Sequence, residues 1–322
     1  MKKLFLGTLC LSFLVACEEN ELGVTDEMNS KQLRVEAEIA NSSVLSSRTS
    51  TTAEGKVSFT TGDKIGFYTP ETAESGLWTY NGESWTSSTE YTWPDKESTY
   101  DFCAYYPFTS AETRDAITMP DLSKQTGEIS KIGTYDFMVA RCSSNYATNS
   151  GKVSFKGEQA FKHVYAMIAI TLKTSKETEG SVLTGVTLSA ANLISAYTYH
   201  FGKNSSDDGM TVKADGKNEL ALTTLNNEIN KDKGLKKAFV VNPLQSSGNV
   251  AIKVDYTREN KKYTASTTVS AASVQKGNLN NLSVIIKKSG LVVAGNSVED
   301  WNVSNLEDVT VEEDAVPMEK HN

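Results

Sequence analysis

Apolar side chains recur at every second position along most of this chain, and that period dictates strands. In VAIKVDYT, Val250, Ile252, Val254 and Tyr256 fall on one face, while Lys253, Asp255 and Thr257 fall on the other. The following KKYTASTTV repeats the pattern through Tyr263, Ala265, Thr267 and Val269. The wholly polar Arg258-Glu259-Asn260-Lys261 between them predicts a hairpin. LRVEAEIA (33–40), KIGFYT, GLWTYNG, TYDFCAYYP, KKAFVVNP and NNLSVIIKK also read as strands. VYAMIAITLK is apolar on both faces, which predicts a central strand covered on both sides. Turn clusters such as Thr61-Gly62-Asp63, Asn81-Gly82 and Asp208-Gly209 recur, and no segment sustains a helical period for three turns. The class is all-β, with strands short enough for sandwiches.

The start of the chain has a different character. Met1-Lys2-Lys3 precedes an apolar stretch from Leu4 to Ala16, the layout of a secretory leader and too short to cross a bilayer as a helix. Leu14-Val15-Ala16-Cys17 resembles the lipobox of bacterial lipoproteins. The resemblance implies that residues 1–16 are removed and that Cys17, acylated with diacylglycerol, becomes the first residue. Each buried CH2 of a lipid chain contributes about 0.8 kcal/mol, so two or more chains hold a protein on a membrane. A plain leader followed by an incidental cysteine is the alternative. Glu18 and Glu19 resemble the surface-export signal of Bacteroidetes lipoproteins, which implies a place outside the cell. Residues 17–31 are polar, lack periodicity and read as a tether.

Without the leader about 305 residues remain, enough for two ordinary domains. The formal net charge is −8, and −10 once Lys2 and Lys3 depart. An acidic chain without a basic run repels nucleic acid, which is excluded as a partner. Cys10 lies in the leader and Cys17 at its end, leaving Cys103 and Cys142 to the folded part. Each sits in an apolar run and reads as a separate buried thiol, with a pairing of the two as the alternative. The polar stretch SSNYATNSG places a domain boundary at residue 150, giving units 32–150 and 151–322.

Catalytic chemistry finds no footing. His163 opens the doubly apolar strand, His200 alternates along AYTYHF, and His321 is near the end; none has a second ligand at metal spacing. No nucleophile elbow, phosphate loop or dinucleotide fingerprint occurs, so neither enzyme activity, metal nor cofactor is expected. The acidic group Glu299, Asp300, Glu307, Asp308, Glu312, Glu313 and Asp314 is spaced too loosely for a calcium loop, the alternative, and reads as a solvated tail. Trp78, Tyr80, Trp85, Tyr91 and Trp93 fall within sixteen residues. Exposed, the three tryptophans would make a platform for sugar rings; buried, they would be core packing.

Several local patterns occur in order: SSRTS, FTTGDKIGFYTP, YTWPD, STYDFCAYYP, YDFMVA and KVSFKGEQAFKHVYAMIAITLK. Behind a lipobox, they resemble the fimbrillin-like proteins of Bacteroidetes, the Mfa-like and FimA-like pilins. The resemblance implies two transthyretin-like β-sandwich domains in tandem and a place at the cell surface, as an outer-membrane lipoprotein or in an assembled fimbrium. It also implies cleavage by an arginine-specific protease after an early strand, whose loss opens a groove that a strand of another subunit fills. Here the removable strand would bury Leu33, Val35, Ala37 and Ile39, and Arg48 is the processing candidate, with Arg34 the weaker one. Leu291 and Val293, then Val309 and Val311, alternate as a donor strand would, although a terminal strand packed in its own domain has the same pattern. Trp301 is expected to anchor this tail against the C-terminal sandwich. Partners would be other pilin subunits or copies of itself, the outer membrane through the lipid, and a host protein or glycan at a tip. The competing function is a monomeric surface lipoprotein that binds glycan through exposed aromatics.

Overall fold

The computed structural model describes residues 31–40, 58–214 and 216–301. Cys17, Arg48, Val309 and Val311 lie outside the described residues. The strands of the N-terminal part are β1 (Arg34–Ala37), β2 (Lys64–Tyr68), β3 (Gly76–Tyr80), β4 (Trp85–Thr86), β5 (Thr99–Tyr106), β6 (Ile117–Thr118), β7 (Met138–Asn145), β8 (Lys152–Phe155) and β9 (Lys162–His163). Those that follow are β10 (Ala166–Thr174), β11 (Val182–Ser189), β12 (Ala196–His200), β13 (Gly209–Ala214), β14 (Glu219–Leu222) and β15 (Asn227–Glu228). The last five are β16 (Leu235–Val241), β17 (Asn249–Arg258), β18 (Lys261–Ser270), β19 (Asn278–Lys287) and β20 (Gly290–Asp300).

Two sandwiches stand in tandem. In the first, a six-stranded sheet of order β4-β3-β2-β5-β7-β9 carries the parallel pair β1-β8. In the second, the sheet β16-β10-β19-β20 faces β14-β11-β17-β18, with β15 beside β11. A small sheet β13-β12-β6 joins a strand of the first part to two of the second. The predicted hairpin is β17–β18, and its turn residues Glu259 and Asn260 have φ of 50° and 60°. Both central residues at positive φ match the right-handed twist of the strands they join. The doubly apolar run is β10, inside its sheet between β16 and β19, with Ala166 to Ile170 buried.

The boundary at residue 150 is corrected. β8 and β9, assigned by the sequence to the second unit, pair with β1 and β7 of the first, so the changeover falls between His163 and Ala166. The polar stretch that suggested a linker is a tight turn. Asn145 caps the single helical turn α1 (Tyr146–Asn149) by accepting from the amides of Ala147 and Thr148. Ser150 and Gly151, at φ of 51° and 74°, then turn the chain into β8.

Cys103 and Cys142 are buried and unpaired. In the β5–β7 ladder Cys103 stands opposite Arg141 and Cys142 opposite Phe102. Directly opposed residues share a face, so the two thiols point to opposite faces of the sheet.

Candidate functional site

The site centres on β1 and the cleft that it fills. Alternation along residues 33–39 turns Leu33, Val35 and Ile39 inward, at 3%, 5% and 2% exposure, while Ala37 is half-buried. They join a buried cluster with Phe59, Phe67, Trp93, Phe102, Phe155 and Phe161. The rings in this floor meet at close range: Phe67 stacks on Phe102 at 5.8 Å, and Phe161 meets Phe59 and Phe155 edge-on at 5.3 and 5.7 Å. Burying three branched aliphatic side chains contributes about 5–9 kcal/mol at roughly 1.5–3 each. That is comparable to the whole stability of an ordinary domain.

The main-chain hold on β1 is narrow by contrast. Arg34 to Ala37 run parallel to Lys152 to Phe155. At the N-terminal end, the Leu33 amide donates to the Tyr91 carbonyl at 2.8 Å and the Trp93 amide to the Lys31 carbonyl at 2.9 Å. At the other end, the Phe161 amide donates to the Glu38 carbonyl (2.9 Å) and the Ala40 amide to the Phe161 carbonyl (2.8 Å). Between these ends the far edge of β1 borders a cavity of about 500 Å³ lined by Tyr80, Glu83, Ser84 and Trp85. In turn, β8 has β1 as its one ladder partner among the described residues.

Charge closes the solvent side. The Glu36 carboxylate meets the Lys152 and Lys156 ammonium groups at 2.7 and 2.9 Å. Hydrogen bonds from these two lysines hold the Glu36 carboxyl below its ordinary pKa. Exposed pairs of this kind contribute little to stability, ~1 kcal/mol or less each. They fix register, while the apolar face supplies the binding. Arg34, the weaker processing candidate, is inside β1 with its guanidinium donating to the Ser150 carbonyl at 2.6 Å.

The other sequence candidates fall elsewhere. Trp78, Trp85 and Trp93 are 5%, 6% and 1% exposed, so the platform of surface aromatics is corrected. Trp93 donates its indole N–H to the Gly151 carbonyl at 3.0 Å, Trp78 stacks on Tyr91 at 5.8 Å, and Trp85 meets Phe59 edge-on at 5.0 Å. Leu291 and Val293 lie in β20, opposite Ile286 and Val284 of their own sheet. Trp301 is fully buried, but against His163 of the N-terminal sandwich, with ring centroids 4.2 Å apart and planes 7° from parallel. Its amide donates to the Gly277 carbonyl of the C-terminal part at 2.7 Å, so Trp301 touches both sandwiches. No cluster of three His, Cys, Asp or Glu side chains able to hold a metal occurs among the described residues. Sequence reasoning missed β8 and the aromatic floor as the seat of β1. The alternation Val153-Ser154-Phe155 was the available signal, but nothing in it names a partner more than a hundred positions away.

These features define a tandem all-β chain, and comparison with known proteins gives its family. The fimbrillin-like family model matches residues 47–301, and the chain belongs to that family, whose members are adhesive and fimbrial rather than enzymatic. A candidate cell adhesion protein of Bacteroides uniformis is similar at 24% identity and a TM-score of 0.55, over 84% of this chain and 99% of that one. A fimbrial protein of Bacteroides vulgatus is similar at 15% identity and a TM-score of 0.53, over 84% and 99%. A candidate cell adhesion protein of Bacteroides ovatus shares 13% identity at a TM-score of 0.53, over 84% and 98%. Among curated proteins none matches the chain. No helix among the described residues is long and apolar enough to cross a membrane.

Proposed function

We propose that this protein is a fimbrial subunit that assembles by strand exchange on the cell surface. The observation that carries the reading is the imbalance in β1: three deeply buried apolar side chains on a strand whose ladder runs along one side only. Removing such a strand leaves a row of pockets over Val153, Phe155 and Phe161 and an unpaired β8 edge. An incoming alternating strand supplies both what the pockets and the edge lack. Arg48 stands eight residues beyond Ala40, the last described residue of the β1 segment, and is the proposed cleavage point. Val309 and Val311 are the proposed donor positions, because Leu291 and Val293 are already occupied in their own sheet. Cys17 is the proposed lipid attachment point that holds the subunit at the outer membrane before assembly. The same reading makes other subunits or copies of this chain the partners.

The test is limited cleavage of the purified mature chain with an arginine-specific protease, followed by size-exclusion chromatography and N-terminal sequencing. One cut after Arg48, with loss of the segment before it and a ladder of oligomers, is the expected result. A chain that loses this segment and stays monomeric contradicts exchange.

A further inference from the structure

Where the two sandwiches meet, three buried side chains form a group of their own. Asp136, just before β7, His163 in β9 and Trp301, just after β20, are at most 1% exposed. His163 Nδ1 lies 2.7 Å from Asp136 Oδ2. The approach lacks hydrogen-bond alignment, so both Asp136 oxygens, both His163 nitrogens and the Trp301 indole N–H are buried without a directed partner. Groups buried in this way gain from contact with water. The Trp301 ring lies flat on the imidazole and covers that face of it.

The main chain ties the same spot to both ends of the molecule. The Trp301 amide donates to the Gly277 carbonyl at 2.7 Å, and the Gly277 amide to the Tyr165 carbonyl at 2.9 Å, two residues from His163. On the other side Phe161, also two residues from His163, exchanges two backbone bonds with Glu38 and Ala40 at the end of the β1 segment. A cavity of about 310 Å³ has Ala40, His163, Gly277 and Asp300 in its wall. The last described residue before the processing stretch and the last strand residue before the tail therefore border one space.

We infer that Phe161–His163 is a coupling element between the removable strand and Trp301 at the end of β20. Docked β1 holds Phe161 and closes the cavity at Ala40, which keeps His163 stacked on Trp301. Departure of β1 unpairs the Phe161 amide and carbonyl and admits water to Asp136 and His163, and the stack then loosens. The departure of β1 rests on the strand-exchange reading, but the coupling itself is a property of the uncut monomer.

Coupling is reciprocal, so loosening Trp301 must loosen β1. The test is hydrogen exchange, read by mass spectrometry, on the uncut chain and two variants. Trp301→Leu keeps apolar bulk and removes the flat ring; Trp301→Phe restores a ring. The expected result is exchange at Lys152–Phe155 and Phe161 faster by about fivefold or more in Trp301→Leu, unchanged exchange in the hairpin 249–270, and recovery in Trp301→Phe. Unchanged exchange at Lys152–Phe155 in Trp301→Leu overturns the inference. So does equal acceleration in the hairpin without recovery in Trp301→Phe, which would make Trp301 a general prop. None of these readouts requires oligomers, so a chain that shows the coupling and never assembles after cleavage separates this inference from strand exchange.

Discussion

Single side chains in this protein are held by burial more than by charge. Burial pushes the Cys103 thiol up to about 11 and the Cys142 thiol up to about 12, because the thiolate has no water to solvate it. At pH 8 neither thiol should react with a disulfide reagent in the folded protein, while both should react in denaturant; a colorimetric thiol count checks this. Burial likewise pushes the Tyr105 phenol up to about 12 and raises Tyr68, Tyr165 and Tyr199 above their ordinary value. Ile39, at 2% exposure, anchors the end of the β1 segment. Ile39→Ala should cost about 2–5 kcal/mol in denaturant unfolding if the seat stays rigid. An Ile39→Ala chain with unchanged stability would mean that β1 is not part of the cooperative core.

At the scale of elements, local patterns were legible and distant pairings were not. The β17–β18 hairpin could be read from alternation on both strands and four polar residues between them, since everything that fixes it lies within twenty-two positions. Its turn also carries strain: Glu259 at φ 50° sits where an L side chain is disfavoured by roughly 1–2 kcal/mol. Glu259→Asn should therefore raise stability, by up to about 1 kcal/mol, and a denaturant midpoint at or below the parent's would count against strain in the turn. The β1–β8 ladder is a different matter. Its parallel register sets residue 34 opposite residue 152, and no short-range signal in either strand announces the other. The same non-locality misplaced the boundary, because α1 and Ser150 look polar and loop-like whether they link domains or turn the chain back. The tryptophans were ambiguous for a related reason. Trp78, Trp85 and Trp93 alternate as well for a surface as for a core, and only the packing of Phe59, Phe102 and Tyr91 against them decides.

At the scale of the whole molecule β1 packs on a continuous core. One buried cluster runs through both sandwiches and includes Leu33, Val35 and Ile39. Alkaline pH should test that core as a unit. Cysteine and tyrosine groups whose pKa is raised on folding contribute stability that is complete below their unfolded values, near 9 and 10. That stability is lost as pH rises through the folded values, about 11 to 12 for Cys103, Cys142 and Tyr105. Unfolding midpoints should therefore hold to about pH 9 and fall progressively above it. A midpoint unchanged up to about pH 11 would contradict the burial of these groups.

The proposed strand exchange makes β8 the edge to which an incoming strand would bind, and amide exchange at Lys152–Phe155 reports on that edge directly. Exchange there should be slow in the uncut chain, fast in the cleaved monomer once β1 has gone, and slow again in purified oligomers. Oligomers whose Lys152–Phe155 amides exchange as fast as in the cleaved monomer would show that copies join elsewhere and that the groove stays empty.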